Sequence, residues 1–128
     1  MSLAPIALFV YNRLEHTKRT VSALQNNELS KDSDLIIFSD AAKNESGLES
    51  VRGLRNYLKK ITGFKSLEII ERQENFGLAK SIISGVTEVV NRYGKIIVLE
   101  DDLLTSPYFL DYMNKGLDLY ENNDEVIS

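Results

Sequence analysis

Three adjacent carboxylates, Glu100-Asp101-Asp102, directly follow residues 95–99, which are all apolar after Lys95. Neighbouring carboxylates repel one another unless water or a cation neutralises them. In extended backbone, Glu100 and Asp102 point to one side of the chain and Asp101 to the other. Mg²⁺ and Mn²⁺ take oxygen ligands from one or two carboxylates and complete their shell with phosphates and water. The plainer interpretation is an acidic loop exposed to water, so the triplet needs support from elsewhere in the sequence.

That support comes from the ends of the other apolar runs. Asn12 and Arg13 follow the first run, Asp40 follows the second, and Asn75 and Gly77 come shortly after the third. Because the carboxyl ends of parallel strands meet at one edge of a sheet, these polar groups are expected to face one crevice. The coincidence favours a ligand site over a solvated loop.

Residues 74–80 are predicted to open a helix beside that crevice. Asn75 is expected to cap the helix, and Gly77 permits close approach of a ligand to the backbone, where the helix N-terminus favours anions. Lys80 and Arg72 would add positive charge near a diphosphate. Plain capping with a solvated lysine is the alternative, and it is favoured for Lys80 taken alone. Arg13 has an equally plain alternative as a surface residue near a helix start.

Strands and helices alternate along the chain, which predicts βαβ units with right-handed crossovers and an α/β fold. Apolar runs predict strands at residues 5–10, 35–38, 67–72 and 95–99. Helical spacing of apolar residues predicts helices at residues 14–24, 51–61, 78–93 and from Ser106, with Ser106 as N-cap and Pro107 at the first helical position. The third strand is the most polar and belongs at an edge. We therefore expect a Rossmann-like, mostly parallel sheet of order 3-2-1-4 with helices on both faces and a switch point between strands one and four.

Composition limits the function. The 128 residues suit one domain, assigned to residues 4–128, with residues 1–3 resembling an expression leader. Residues 125–128 resemble the start of another strand, so the domain is expected to be truncated. A net charge of -4 argues against a nucleic-acid partner, and the absence of cysteine excludes thiolate chemistry. No apolar run is long enough to span a membrane. A cytoplasmic location is expected, or a peripheral membrane location for a longer protein.

Other familiar sites fit poorly. The GxxxxGK[ST] loop of P-loop enzymes and the GxGxxG turn of dinucleotide-binding domains are both absent. His16, the single histidine, is given no role. Tyr108, Tyr112 and Tyr120 are expected to pack their helix against the core and not to form a platform that stacks on sugars.

The motifs, in their order, resemble those of family 2-like glycosyltransferases of the GT-A fold, over essentially the whole chain after Leu3. The resemblance rests on residues 5–13 followed by an amphipathic helix, on Asp40, on Asn75-x-Gly77-Leu78, and on the acidic triplet. The triplet with the later segment 106–110 is also similar to the N-acetylglucosaminyltransferase I type.

The resemblance implies a nucleotide-sugar donor linked to UDP or GDP, and bound Mn²⁺ or Mg²⁺. Base and ribose would be held by Tyr11, Asn12, Arg13 and Asp40, with Asn75, Gly77 and Lys80 also assigned to the nucleotide. Glu100 and Asp101 would hold the ribose side, and Asp102 the metal. The triplet begins with Glu100, where the family usually has Asp-x-Asp, which leaves the ribose contact open.

The resemblance also implies a glycan or lipid-linked acceptor, in glycan or cell-surface polysaccharide synthesis. The general base is expected beyond Ser128, so no catalytic residue is named and the chain alone should transfer little. One alternative is a sugar nucleotidyltransferase, for which the glycine-rich loop with Arg and Lys after strand one is missing. The other is a non-catalytic nucleotide-binding module.

Overall fold

A computed structural model describes the backbone of residues 2–121 and the side chains of residues 2–119. The elements are β1 (Ile6–Val10), α1 (Leu14–Gln25), β2 (Asp34–Ser39), α2 (Leu48–Leu58), β3 (Ser66–Glu71), α3 (Leu78–Tyr93), β4 (Ile97–Glu100) and α4 (Phe109–Glu121). The strand expected at residues 125–128 and the side chain of Tyr120 lie outside the described parts of the chain.

The four strands form one parallel sheet in the order β3-β2-β1-β4, which confirms the predicted topology. Ile6 of β1 pairs with Leu35 on one side and with Ile97 on the other. Val10 of β1 lies opposite Ser39, so β1 and β2 end together and their following loops emerge at the same edge. Parallel pairing of β1 with β4 places the switch point between these two strands, as the sequence predicted.

Helices cover both faces, and the two-residue repeat of β1 divides its side chains between them. Ile6, Leu8 and Val10 are buried in a cluster with residues of α1, α2 and α4. Ala7 and Phe9 point the other way, into a smaller cluster with Val89 of α3. Three helices therefore lie on one face of the sheet and α3 lies on the other, with the C-terminal strand edge left between them.

Gly85 of α3 faces the sheet and allows the helix to pack directly on two aromatic rings. The rings of Phe9 and Phe38 stack with centroids 4.9 Å apart beneath this glycine. A Cβ atom at Gly85 would meet Phe9 Cε1 at 2.7 Å and Phe38 Cε2 at 3.1 Å. The missing side chain thus sets the distance between α3 and β1.

Several local predictions were wrong. Helix α4 begins at Phe109 and not at Ser106. Residues 106–109 form a separate turn, in which the Phe109 amide donates to the Ser106 carbonyl at 3.1 Å. Tyr108 and Tyr112 do not pack on the core, because these residues are 62% and 76% exposed. Leu110 occupies the buried face instead, and Phe109, Met113 and Leu117 pack against the same cluster.

None of the helices within residues 2–121 is long and apolar enough to cross a membrane.

Candidate functional site

A cavity of about 360 Å³ lies at the C-terminal edge of the sheet, between the ends of β1, β2 and β4 and the start of α3. A volume of this size is within the range of small-molecule sites. Its lining residues are Phe9, Val10, Tyr11, Asn12, Arg13, Asp40, Lys43, Asn75, Gly77, Leu78, Ser81, Glu100, Asp101 and Asp102. Nine of the ten site residues named from sequence are among them.

Lys80 is the exception, because its side chain turns away from the cavity. Its Nζ lies 4.3 Å from the centroid of the Phe76 ring. The guanidinium of Arg72 approaches the same ring at 4.6 Å and also the ring of Phe38 at 5.1 Å. These two cations therefore pack on aromatic faces and do not line the cavity.

Arg13 and Asp101 bind each other across the switch point. Arg13 Nη2 donates to Asp101 Oδ1 at 2.8 Å, and the hydroxyl of Thr20 donates to the Asp101 carbonyl, also at 2.8 Å. The Asp101 side chain is only 9% exposed, so this carboxylate depends on Arg13 for its charge balance. Both residues were assigned to the nucleotide from sequence; the structure shows that each also connects β1 to β4.

Glu100 and Asp102 differ from Asp101 in having little to neutralise them. Asp102 is 48% exposed and forms a long ion pair with Arg13 Nη2 at 3.9 Å, beyond hydrogen-bonding distance. The carboxylate of Glu100 has no hydrogen bond or ion pair within residues 2–121. The predicted alternation of the three side chains was wrong, because β4 ends at Glu100 and the next two residues form a turn. The carboxylates of Asp101 and Asp102 both approach Arg13 Nη2, at 2.8 Å and 3.9 Å.

The donor set can be compared with what a metal ion needs. In the described part of the chain, no three acidic or histidine side chains converge to hold an ion by themselves. Mg²⁺ and Mn²⁺ are commonly bound by one or two carboxylates together with substrate phosphates and water. Asp102 and Glu100, facing a cavity with free oxygens, fit that kind of site and do not fit an all-protein cage.

Asp40 lies at the end of β2 and is almost fully buried, with 6% of its surface exposed. Its Oδ1 accepts the amides of Ala41 at 2.9 Å and Phe76 at 2.8 Å. Its Oδ2 accepts the amide of Gly77 at 3.0 Å and Nδ2 of Asn75 at 3.3 Å. Asn75 therefore does not cap α3 as predicted; the N-cap is Gly77, which makes no side-chain cap.

Arg55 of α2 holds the C-terminal ends of β2 and β3, a role that the local sequence did not predict. Its Nη2 donates to the carbonyls of Ser39 at 3.0 Å, Asp40 at 3.2 Å and Arg72 at 2.9 Å. Its Nε donates to the Ser39 hydroxyl at 2.9 Å. One guanidinium thus holds the ends of β2 and β3 together.

Lys43, Leu78 and Ser81 also line the cavity without having been assigned to the site from sequence. Lys43 follows Asp40 by three residues, and its backbone amide donates to the Tyr11 hydroxyl at 3.1 Å. Ser81 and Leu78 come from the first turn of α3. Lys43 could have been found by extending the strand-end argument by three residues, whereas Ser81 has no signal in the local sequence.

Charge is unevenly distributed in this cavity. Four acidic side chains line it (Asp40, Glu100, Asp101 and Asp102), against the basic side chains of Arg13 and Lys43. An anion entering alone would meet net repulsion, because opposite charges are too few to balance the carboxylates.

Comparisons with known proteins bear on the fold. No protein-family model and no curated protein matches this sequence. Among solved structures, the crystal structure of TarS, a glycosyltransferase of S. aureus, matches with a TM-score of 0.59 and 14% identity. The match covers 91% of this chain and 20% of the TarS chain, so this chain spans about a fifth of that protein's length. The chain is therefore an α/β domain whose fold is similar to that of part of TarS.

Proposed function

We propose that this chain is the donor-binding portion of a metal-dependent glycosyltransferase, with a UDP- or GDP-linked sugar as the donor. One observation carries the proposal: nine residues assigned to a nucleotide-sugar site from sequence line a single cavity at the switch point. Open α/β sheets bind ligands at this position. The fold shared with part of TarS supports the same conclusion, at low sequence identity.

The metal follows from the charges of the cavity. A nucleotide diphosphate carries negative charge into a site where acids outnumber bases. Asp102, with Glu100 beside it, would hold a divalent cation, whose charge would offset that of the diphosphate. When bound, Mn²⁺ or Mg²⁺ acts as a Lewis acid that stabilises negative charge on the departing nucleotide.

The protein's own groups divide the remaining tasks. Tyr11 and Asn12 follow β1, line the cavity and would hold base and ribose. Arg13 keeps Asp101 neutralised and leaves Asp102 available. Lys43 brings a positive charge to the loop after β2 and is suited to the diphosphate.

We further propose that the sugar passes to a hydroxyl of a glycan or lipid-linked acceptor, in glycan or cell-surface polysaccharide synthesis. That step requires a general base to remove the hydroxyl proton. None of the described residues is assigned this task, so binding and not transfer is the property to test in this chain.

Metal and nucleotide should bind together. Calorimetric titration of UDP and GDP, with Mn²⁺ and with chelator, should show tighter nucleotide binding in the presence of Mn²⁺, by roughly 5–150-fold as is typical for coupled sites. Nucleotide should tighten Mn²⁺ binding by the same factor. Asp102→Asn keeps the side-chain shape, removes one charge and should abolish the coupling. Glu100→Gln should weaken the nucleotide more than the metal.

Asp111→Asn is the matched control. Asp111 lies on α4, pairs with Lys115 at 3.0 Å and does not line the cavity, so this variant should keep the coupling. Equal nucleotide affinity with and without Mn²⁺ in the folded chain would exclude the metal role and favour the solvated acidic loop. No nucleotide binding in either condition would contradict the donor site itself.

A further inference from the structure

Asp40 is the most fully engaged carboxylate of the cavity. A carboxylate offers about four lone-pair positions. Four donors of the protein already use them: three backbone amides at 2.8–3.0 Å and the Asn75 amide at 3.3 Å. A hydrogen-bond donor on a ligand would have to displace one of these groups to reach Asp40.

The groups that Asp40 binds belong to the start of α3. This helix has no acidic residue in its first turn and no side-chain cap. Asp40, 37 residues before Gly77 in sequence, places its negative charge where the helix dipole is positive. It also accepts hydrogen bonds from the Phe76 and Gly77 amides, which lie at the start of the helix, where backbone N–H groups have no intrahelical acceptor.

Asp40 is itself held rigidly. Its amide donates to the Val10 carbonyl at 3.1 Å, and its carbonyl accepts from Arg55 at 3.2 Å. The carboxylate therefore extends from a fixed strand end to residues 75–77, a segment with no helix or strand of its own. Asn75 reinforces the link by donating to the Ala41 carbonyl at 2.7 Å.

We propose that Asp40 is a positioning residue, whose carboxylate holds residues 75–77 in place as a wall of the cavity instead of contacting the nucleotide directly. The role in ligand binding rests on the proposed function, whereas the role in holding the segment does not. Asn75 and Gly77 line the cavity, so the position of this segment sets the shape that a ligand meets.

Residue-resolved hydrogen exchange by NMR tests the proposal in the free protein. In the native chain, the Phe76 and Gly77 amides should be protected although they lie outside helices and strands. Asp40→Asn keeps the shape but replaces one oxygen by an NH₂ group that accepts no hydrogen bond. Phe76 and Gly77 donate to different oxygens of Asp40, so one of the two amides loses its acceptor in this variant. Exchange at that amide should rise roughly tenfold to a hundredfold, the effect of losing a charge-assisted hydrogen bond.

Asp34→Asn is the matched control, because Asp34 begins the same strand and accepts from Ser66 at the opposite edge. It should leave exchange at Phe76 and Gly77 unchanged. Unprotected amides in the native chain, or unchanged exchange in folded Asp40→Asn, would overturn the proposal. The first of these outcomes is decisive even if the variant does not fold.

Nucleotide titration separates positioning from direct contact. A displaced wall should weaken UDP and GDP by similar factors in Asp40→Asn, and saturating nucleotide should restore protection of the amide that lost it. If Asp40→Asn lowered the affinity for only one of UDP and GDP, and the Phe76 and Gly77 amides exchanged as in the native chain, Asp40 would contact the base directly and the proposal would be overturned. If these amides were protected in the native chain and one of them lost protection in Asp40→Asn, but the native chain bound no nucleotide, the positioning role would stand and the proposed function would be refuted.

Discussion

Replacing Gly85 by alanine should destabilise the protein, although alanine is the better helix former. The gain in helix propensity is about 1 kcal/mol. Against it, the new Cβ would lie 2.7 Å and 2.8 Å from two atoms of Phe9 and 3.1 Å from Phe38. Ordinary contacts need at least 3.4 Å, so α3 or the ring must move by several tenths of an ångström.

Neither ring can move easily. Phe9 is 3% exposed, Phe38 is fully buried, and the two rings stack on each other. Overpacking of a well-filled core typically costs about 1–3 kcal/mol, and the shortness of these contacts favours the upper part of that range. After subtracting the propensity gain, we expect a net loss of about 1–2 kcal/mol in the free energy of unfolding.

Gly53→Ala supplies the control. Gly53 lies within α2, and a Cβ there would meet no atom within 4 Å. This variant should gain about 0.5–1 kcal/mol, so the two changes should have opposite signs in urea unfolding followed by circular dichroism. Stabilisation of similar size in both variants would refute the close approach of α3 to β1. Because Phe9 also lines the cavity, Gly85→Ala should in addition weaken nucleotide binding.

Three further changes test other parts of the site. Gly77→Ala should lower the free energy of unfolding in urea by about 1–3 kcal/mol, because φ of +78° and ψ of 161° are strained for any residue with a Cβ. A Cβ there would meet no atom within 4 Å, so an unchanged stability would contradict this backbone conformation. Arg55→Lys cannot reproduce four hydrogen bonds and should lower stability by about 1–3 kcal/mol, whereas Arg52→Lys on the exposed side of α2 should have no measurable effect. Arg13→Gln removes the charge that balances Asp101 and should cost about 1–2 kcal/mol at low salt, since Arg13 is half exposed; equal melting temperatures of the two proteins would contradict it.

The sheet could be predicted from sequence because its signals are local. Continuous apolar runs such as Ile6–Val10 are typical of strands covered on both faces, and alternation with helices leaves few parallel topologies. The polar residues of Ser66–Glu71 predicted an edge strand, and β3 lies at an edge of the sheet. The edge that carries the site followed from the direction of the strands.

The contacts within the site could not be predicted in the same way, because they join distant parts of the chain. Arg55 binds Arg72, 17 residues away, and Arg13 binds Asp101, 88 residues away. Local rules gave Asn75 a capping role that the distant Asp40 takes over in the structure. The residues assigned to nucleotide and metal binding stay predictions, since they were identified by residue type and position alone.

The two faces of the sheet hold different numbers of helices. Among the described residues, one cluster of buried apolar side chains holds α1, α2 and α4 together on one face, whereas a separate cluster holds α3 by itself on the other. Native proteins open locally in units whose contacts are shared within the unit. Helix α3 could therefore separate from the sheet without breaking the larger cluster. Since its first turn forms one wall of the cavity, a ligand bound there would suppress this separation, and its affinity would include the free energy of keeping α3 docked.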